Sequence, residues 1–190
     1  PNPIDDSLFR PACSYGDRDD LVLFAGRVDT HRRLHLILEA MRQVRRRIAG
    51  VRLLVVGDEG NLSTQLTRID WVEYLGPKSH IEMPQYYNSA KVFVSAVRGE
   101  AGCGNALEES LACGTPIVGT TDLDFPFEWK DGEVGYVVKP NRADLAEGII
   151  KALEDGPRLH PKCRELAVSE FGLSSVGPRY LQVFEGVLKG

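Results

Sequence analysis

Short, wholly apolar runs alternate with stretches whose apolar residues recur at helical spacing, and this alternation constrains the chain more than any other feature. Leu21 to Ala25 is an apolar run ending at Gly26. The next apolar residues are Leu34, Ile37, Leu38, Met41, Val44 and Ile48, the spacing of one helix face. Arg45 falls on the same stripe, where its stem can lie on the core while its head reaches water. Gly50 ends this segment, and Val51 to Val56 forms a second run, closed by Gly57-Asp58-Glu59-Gly60 and followed by a polar helical stretch from about Leu62 to Ile69. The rhythm continues with a strand at 72–75, a helix at 83–90, a strand at 92–94, a helix at 105–113 stopped by Gly114, and strands starting at 116 and 135. Strands that are apolar throughout, rather than alternating, are buried on both faces and belong to parallel sheets. The expected fold is therefore α/β, a Rossmann-like doubly wound parallel sheet of about six strands with helices on both faces. Three further helices, at 143–154, 161–171 and 175–188, break the alternation and form a helical C-terminal tail.

At 190 residues the chain is long enough for one well-buried core. A formal net charge of −4 gives no electrostatic basis for a nucleic-acid partner, because that association needs a large basic surplus. No apolar run approaches the roughly 20 residues of a membrane span. Cys13, Cys103, Cys113 and Cys163 are scattered without a CxxC pair, so free thiols and a reducing, cytoplasmic setting are expected. With no initiator Met and no leader-like start, Pro1 reads as a boundary inside a longer protein.

In an open parallel sheet, ligands lie beyond the carboxyl ends of the strands, and two loops there carry suitable chemistry. Gly26-Arg27 through Arg32-Arg33 sets several cations between a buried strand and a helix. A guanidinium presents a planar fork of donors matched to phosphate oxygens, so Arg27 is the first candidate for a diphosphate. The second loop is Glu100-Ala101-Gly102-Cys103-Gly104-Asn105-Ala106, which leads into a helix bearing Glu108 and Glu109. Glycines let the backbone approach a ligand, and free amides at 104–106 can cradle an anion. A carboxylate at Glu109 can accept hydrogen bonds from both ribose hydroxyls.

Other residues have plainer readings. His31 and His35 have helical spacing but no third partner, so no metal site is expected. Asp58 and Asp131 sit in glycine turns, where side chains usually satisfy backbone groups. Trp71, Tyr74, Tyr86 and Tyr87 read as core aromatics. Arg45-Arg46-Arg47 reads as a solvated helix face rather than a phosphate site.

With these motifs in view, the chain resembles the C-terminal domain of retaining GT-B glycosyltransferases of the large family 4 type, from Pro1 to about Asp155. Pro1-Asn2-Pro3-Ile4-Asp5, with Phe9 and Pro11, is similar to the family's linker phrase, and Gly26-Arg27 to the start of its phosphate loop. The acidic, glycine-rich segment ending in Ala112-Cys113-Gly114 is similar to its EX7E motif. Asp131-Gly132-Glu133-Val134-Gly135, with Tyr136 to Pro140, is similar to its Asp-Gly-Glu-x-Gly turn and strand. The resemblance implies a sugar transfer from a nucleoside-diphosphate sugar, such as a UDP- or GDP-sugar, with retention and without a metal cofactor. It implies Arg27 and Arg32 on the diphosphate, Glu100 on the transferred sugar and Glu109 on ribose. Gly26, Gly102, Cys103, Gly104, Asn105 and Ala106 would complete the donor site.

The sequence departs from the family pattern at two places. The family's loop glycine falls on Arg33. Counting back from Gly114, its first Glu falls on Ala101, so either a bulge brings in Glu100 or the working pair is Glu100 and Glu108; the glycine register favours Glu109 for ribose. The implied organisation is an interdomain linker remnant at 1–20, a nucleotide-sugar-binding domain at 21–172, and a helix at 173–190 that packs on an N-terminal domain absent here. Val183, Phe184 and Leu188 would supply its apolar contacts. That domain would hold the acceptor, a glycan or lipid-linked sugar, so this chain alone would bind donor without turnover. Rival readings are half of a sugar-nucleotide epimerase, which would lack the Asp-Gly-Glu-x-Gly turn, and a non-catalytic nucleotide-binding module.

Overall fold

The computed structural model describes residues 3–99, 105–123 and 130–188. Among these residues six strands form one sheet: β1 (Leu21–Ala25), β2 (Arg52–Val56), β3 (Val72–Tyr74), β4 (Val92–Ser95), β5 (Ile117–Thr120) and β6 (Gly135–Val138). The spatial order is β3-β2-β1-β4-β5-β6 with every pairing parallel, the doubly wound arrangement expected from the apolar strands. Side-chain alternation divides the core in two. Val22, Phe24, Leu53 and Val55 face one layer, with Leu34, Ile37 and Met41. Leu21, Leu23, Leu54 and Val56 face the other, with Leu107, Leu111 and Phe171. Each fully buried aliphatic or aromatic side chain contributes roughly 1.5–3 kcal/mol.

The helices are α1 (Leu34–Arg47), the short α2 (Ser63–Leu66), α3 (Met83–Ser89), α4 (Ala106–Ala112), α5 (Arg142–Phe171) and α6 (Leu173–Leu188). The stretch expected to be helical from 62 to 69 narrows to the single turn of α2, consistent with its polar, weakly apolar composition. The helices expected at 143–154 and 161–171 are one element, α5, running through Pro157 and Pro161. Each proline removes one intrahelical hydrogen bond, but both halves of the run are anchored by packing. Leu145 and Ile149 pack into the core layer shared with α1, while Leu159, Cys163 and Ala167 pack into the layer shared with α4. Gly156 makes close approach possible at the junction, since a Cβ there would fall 1.8 Å from the Tyr15 ring.

The N-terminal segment is fastened to this helical region. Ile4 bridges Gly172 in parallel, and Phe9 is fully buried. Arg164 donates to the carbonyls of Asp6, Phe9 and Ala112 at 2.9, 2.7 and 3.1 Å. Arg45 departs from expectation at its head group. Its guanidinium donates to the Val51 carbonyl and lies over Trp71, 5.5 Å from the ring centre. A carbonyl acceptor and an aromatic face lie within its reach, so the head docks on protein.

Candidate functional site

Because every strand runs the same way, all the loops after the strands gather at one edge. The order reverses between β1 and β4, so the loops that follow these two neighbouring strands flank the switch point where such sheets leave a crevice. The loop after β1 carries Gly26, Arg27, Arg32 and Arg33. The loop after β4 leads into α4.

Close backbone packing forms the floor of the first loop. Gly26 N–H donates to the Val56 carbonyl at 2.9 Å, and Val28 N–H to the Asp58 carbonyl at 3.0 Å. At Gly57, with φ of 144°, a Cβ would fall 2.0 Å from the Gly26 carbonyl oxygen, so only glycine permits this contact. Asp29 steadies the next turn by accepting from the Arg32 N–H at 2.9 Å. Arg27 is exposed and Arg32 half-buried.

Arg33 adopts φ 51° and ψ 33° as α1 begins. The left-handed turn is therefore kept at the position where the resembled family has glycine, at a backbone cost of about 1–2 kcal/mol. Its guanidinium pairs with Asp122, just after β5, at 2.8 Å. That bond ties two loops of the edge together and commits Arg33 to a structural partner. Burial works to raise the Asp122 pKa, but the neighbouring Thr120 hydroxyl and the bonded Arg33 guanidinium outweigh it and hold the carboxyl below its usual range.

On α4, Glu109 is 5% exposed and each of its oxygens has a partner. Tyr87 O–H donates to Oε2 at 2.8 Å, and His80 Nε2 lies 2.9 Å from Oε1. Burial raises the Glu109 pKa, while the bonds from Tyr87 and His80 oppose it. His80 opens a short 3-10 turn (His80–Glu82) in the loop after β3, and its ring stacks at a tilt on Phe9 with centroids 5.0 Å apart. Glu108 is equally buried, and its Oε2 has no hydrogen-bond partner. Burial pushes its carboxyl up to about 7. Two acids next to each other in sequence thus have different environments, one fully partnered and one not.

The structure places Gly26, Arg27, Arg32, Asn105, Ala106 and Glu109 on loops and a helix at the same sheet edge. Glu100, Gly102, Cys103 and Gly104 lie outside the described residues, so their part in the expected cradle lies outside them too. His80 and Tyr87 were not among the sequence candidates. Tyr87 is a core aromatic as its apolar context implied, but its hydroxyl meets Glu109. His80 had one available signal, its position after Gly76-Pro77 beyond the carboxyl end of β3. Asp131 fills the turn role expected of it, accepting from the Val137 N–H at 2.9 Å. Among the described residues no group of three His, Cys, Asp or Glu side chains is arranged to hold a metal, and no helix is long and apolar enough to cross a membrane.

A family model described as glycosyl transferases group 1 matches residues 19–155. The chain belongs to this family. Among its relatives, a phosphatidyl-myo-inositol mannosyltransferase of Mycobacterium tuberculosis is 31% identical over 98% of this chain and 53% of its own length. The chain thus spans about half the length of the curated relatives it matches, and it is a C-terminal-type domain of these group 1 transferases. The fold agrees with that of solved GT-B structures. Sucrose-phosphate synthase from Thermosynechococcus elongatus superimposes with a TM-score of 0.84 at 24% identity, covering 100% of this chain and 52% of that one. Anabaena HepE, solved with UDP and glucose, gives 0.80 at 18% identity over 97% of this chain and 55% of its own.

Proposed function

We propose that this chain is the donor-binding half of a glycosyltransferase that moves a sugar from a nucleoside-diphosphate sugar, such as a UDP- or GDP-sugar, to an acceptor held by a preceding domain, with retention. The adjacency of β1 and β4 at the switch point carries this reading. The Arg27 loop and the chain leading into α4 follow these two neighbouring strands, and open parallel sheets bind ligands at such a point. Family membership, and a fold neighbour solved with UDP and glucose, support the same ligand class.

In the proposed mechanism Arg27 and Arg32 grip the diphosphate, and the 104–106 amides face it from the other side. Gly26, Gly102 and Gly104 let the backbone approach, with Cys103, Asn105 and Ala106 completing the wall. Glu109 accepts from the ribose hydroxyls, and Glu100 contacts the transferred sugar. As the glycosidic bond to phosphate breaks, the sugar gains oxocarbenium-like charge and the departing diphosphate gains negative charge. Preorganised cations and amides lower that barrier, because they stabilise charge only as it develops. With arginines supplying this positive charge, the proposed transfer needs no metal ion.

Residues 1–20 are proposed as the interdomain linker and 21–172 as the donor domain. Residues 173–190 are proposed as a helix docking on the acceptor domain, a glycan or lipid-linked sugar being the acceptor class. Leu173, Leu181, Phe184 and Val187 on α6 are large apolar side chains left exposed, consistent with such a docking face; the side chains of Val183 and Leu188 lie outside the described set. Calorimetric titration with UDP and GDP in the presence of a chelator tests the donor site. Binding by the chain, and loss of roughly tenfold or more in affinity for Arg27→Ala, are the expected results. Equal affinity for the variant would refute the assignment.

A further inference from the structure

The proposed ribose acid does not stand free. Glu109 is almost wholly buried, and its carboxylate is held from two elements, by Tyr87 on α3 and by His80 in the loop after β3. Tyr87 is itself buried in the core. His80 is not, since 61% of its side chain is exposed, so packing alone does not hold the ring in place. Two contacts do: the Phe9 ring beneath it and the Glu109 oxygen at 2.9 Å. Phe9 is fixed in turn, fully buried, with its carbonyl held by Arg164.

We propose that His80 is a positioning residue for the donor, holding the Glu109 carboxylate in the orientation and charge state that accept the ribose hydroxyls. This rests on the donor-site reading above. A carboxylate has about four lone-pair sites, so bonds from Tyr87 and His80 occupy two and leave two for a vicinal diol. Without the imidazole, Oε1 is a buried acceptor with no donor, and a carboxylate in that position lowers its cost by taking up a proton. A protonated acid then presents a donor where the ribose needs an acceptor.

The groups that bear on this titration come from several elements. Tyr87 faces Glu109 from α3 and His80 from the loop after β3, while Glu108 lies on α4 and Cys113 caps its end. Asp5, on the N-terminal segment, interacts electrostatically with His80. Of these, His80 is the one that is both exposed and bonded to the carboxylate, so replacing it leaves the core intact.

The test is UDP affinity of the chain measured calorimetrically across pH, for wild type, His80→Ala and His80→Gln. Affinity falls on the acid side as Glu109 protonates. In His80→Ala that acid limb moves up by about one pH unit, with affinities converging on wild type at alkaline pH. In His80→Gln the amide restores a donor without a titrating ring, and the limb falls between the two. A His80→Ala limb that coincides with wild type, or a loss of affinity by the same factor at every pH, would overturn the inference while leaving the donor site standing. A wild-type chain that binds neither UDP nor GDP at any pH would overturn both.

Discussion

The two edges of the sheet each carry an arginine next to β1, and the two are treated in opposite ways. Arg18, before β1, is 4% exposed and donates to the carbonyls of Tyr87, Ala90 and Cys113 and to the side chains of Thr115 and Asn88, at 2.6–3.5 Å. Burial lowers its pKa, but the dense set of acceptors keeps the guanidinium in place and draws together the chain ahead of β1, β4 and β5. Arg27, after β1, is exposed on a glycine-floored loop. Burying a guanidinium with both terminal nitrogens bonded makes an arginine a structural rivet, while exposure on a loop at the switch point suits one to a ligand. The amino edge holds the fold, and the carboxyl edge is where the donor is proposed to bind.

The largest effect that would sharpen this contrast is at Arg18. Arg18→Ala leaves several buried acceptors without donors and is expected to cost about 3–5 kcal/mol, read as a drop in denaturant midpoint, with UDP affinity unchanged under conditions where the variant is folded. A loss below about 1 kcal/mol would show that the amino edge is not the anchor described.

Next comes Glu108, the acid on α4 whose Oε2 has no hydrogen-bond partner. Its native carboxyl titrates at about 7 against 4.5 for an ordinary glutamate. The native state therefore holds a proton that the unfolded state has released, and stability falls as pH rises through that window. Glu108→Gln is expected to stabilise the fold by up to about 3 kcal/mol above the window and to have little effect below it. Thermal melts at several pH values decide this, and a pH-independent difference would contradict it.

The smallest effect is at Arg33. Glycine there relieves a left-handed strain of about 1–2 kcal/mol but gives up a part-exposed ion pair worth about 0–1 kcal/mol and adds unfolded-chain entropy. Arg33→Gly is thus expected to lie within about 1 kcal/mol of wild type by chemical denaturation.

Much of this was legible in the sequence because it is local. Apolar runs located the strands, and strands apolar throughout implied a parallel sheet, which places every following loop at one edge. Arg27 and Glu109 could then be assigned to that edge by counting. The rest depends on contacts distant in the chain. His80 and Tyr87 meet Glu109 across 29 and 22 residues, and the acceptors of Arg18 lie 69 to 97 residues away, so no periodicity reveals them. The continuity of α5 was hidden for a related reason. Proline is a strong local stop signal, and here packing of both halves overrides it.

A crystal structure of the chain with UDP tests the central claim most directly. The account predicts the Arg27 guanidinium at about 2.7–2.9 Å from a diphosphate oxygen, with the start of α4 on the other side of the same group. Nucleotide seated at the amino edge, or a diphosphate beyond the reach of Arg27, would contradict it.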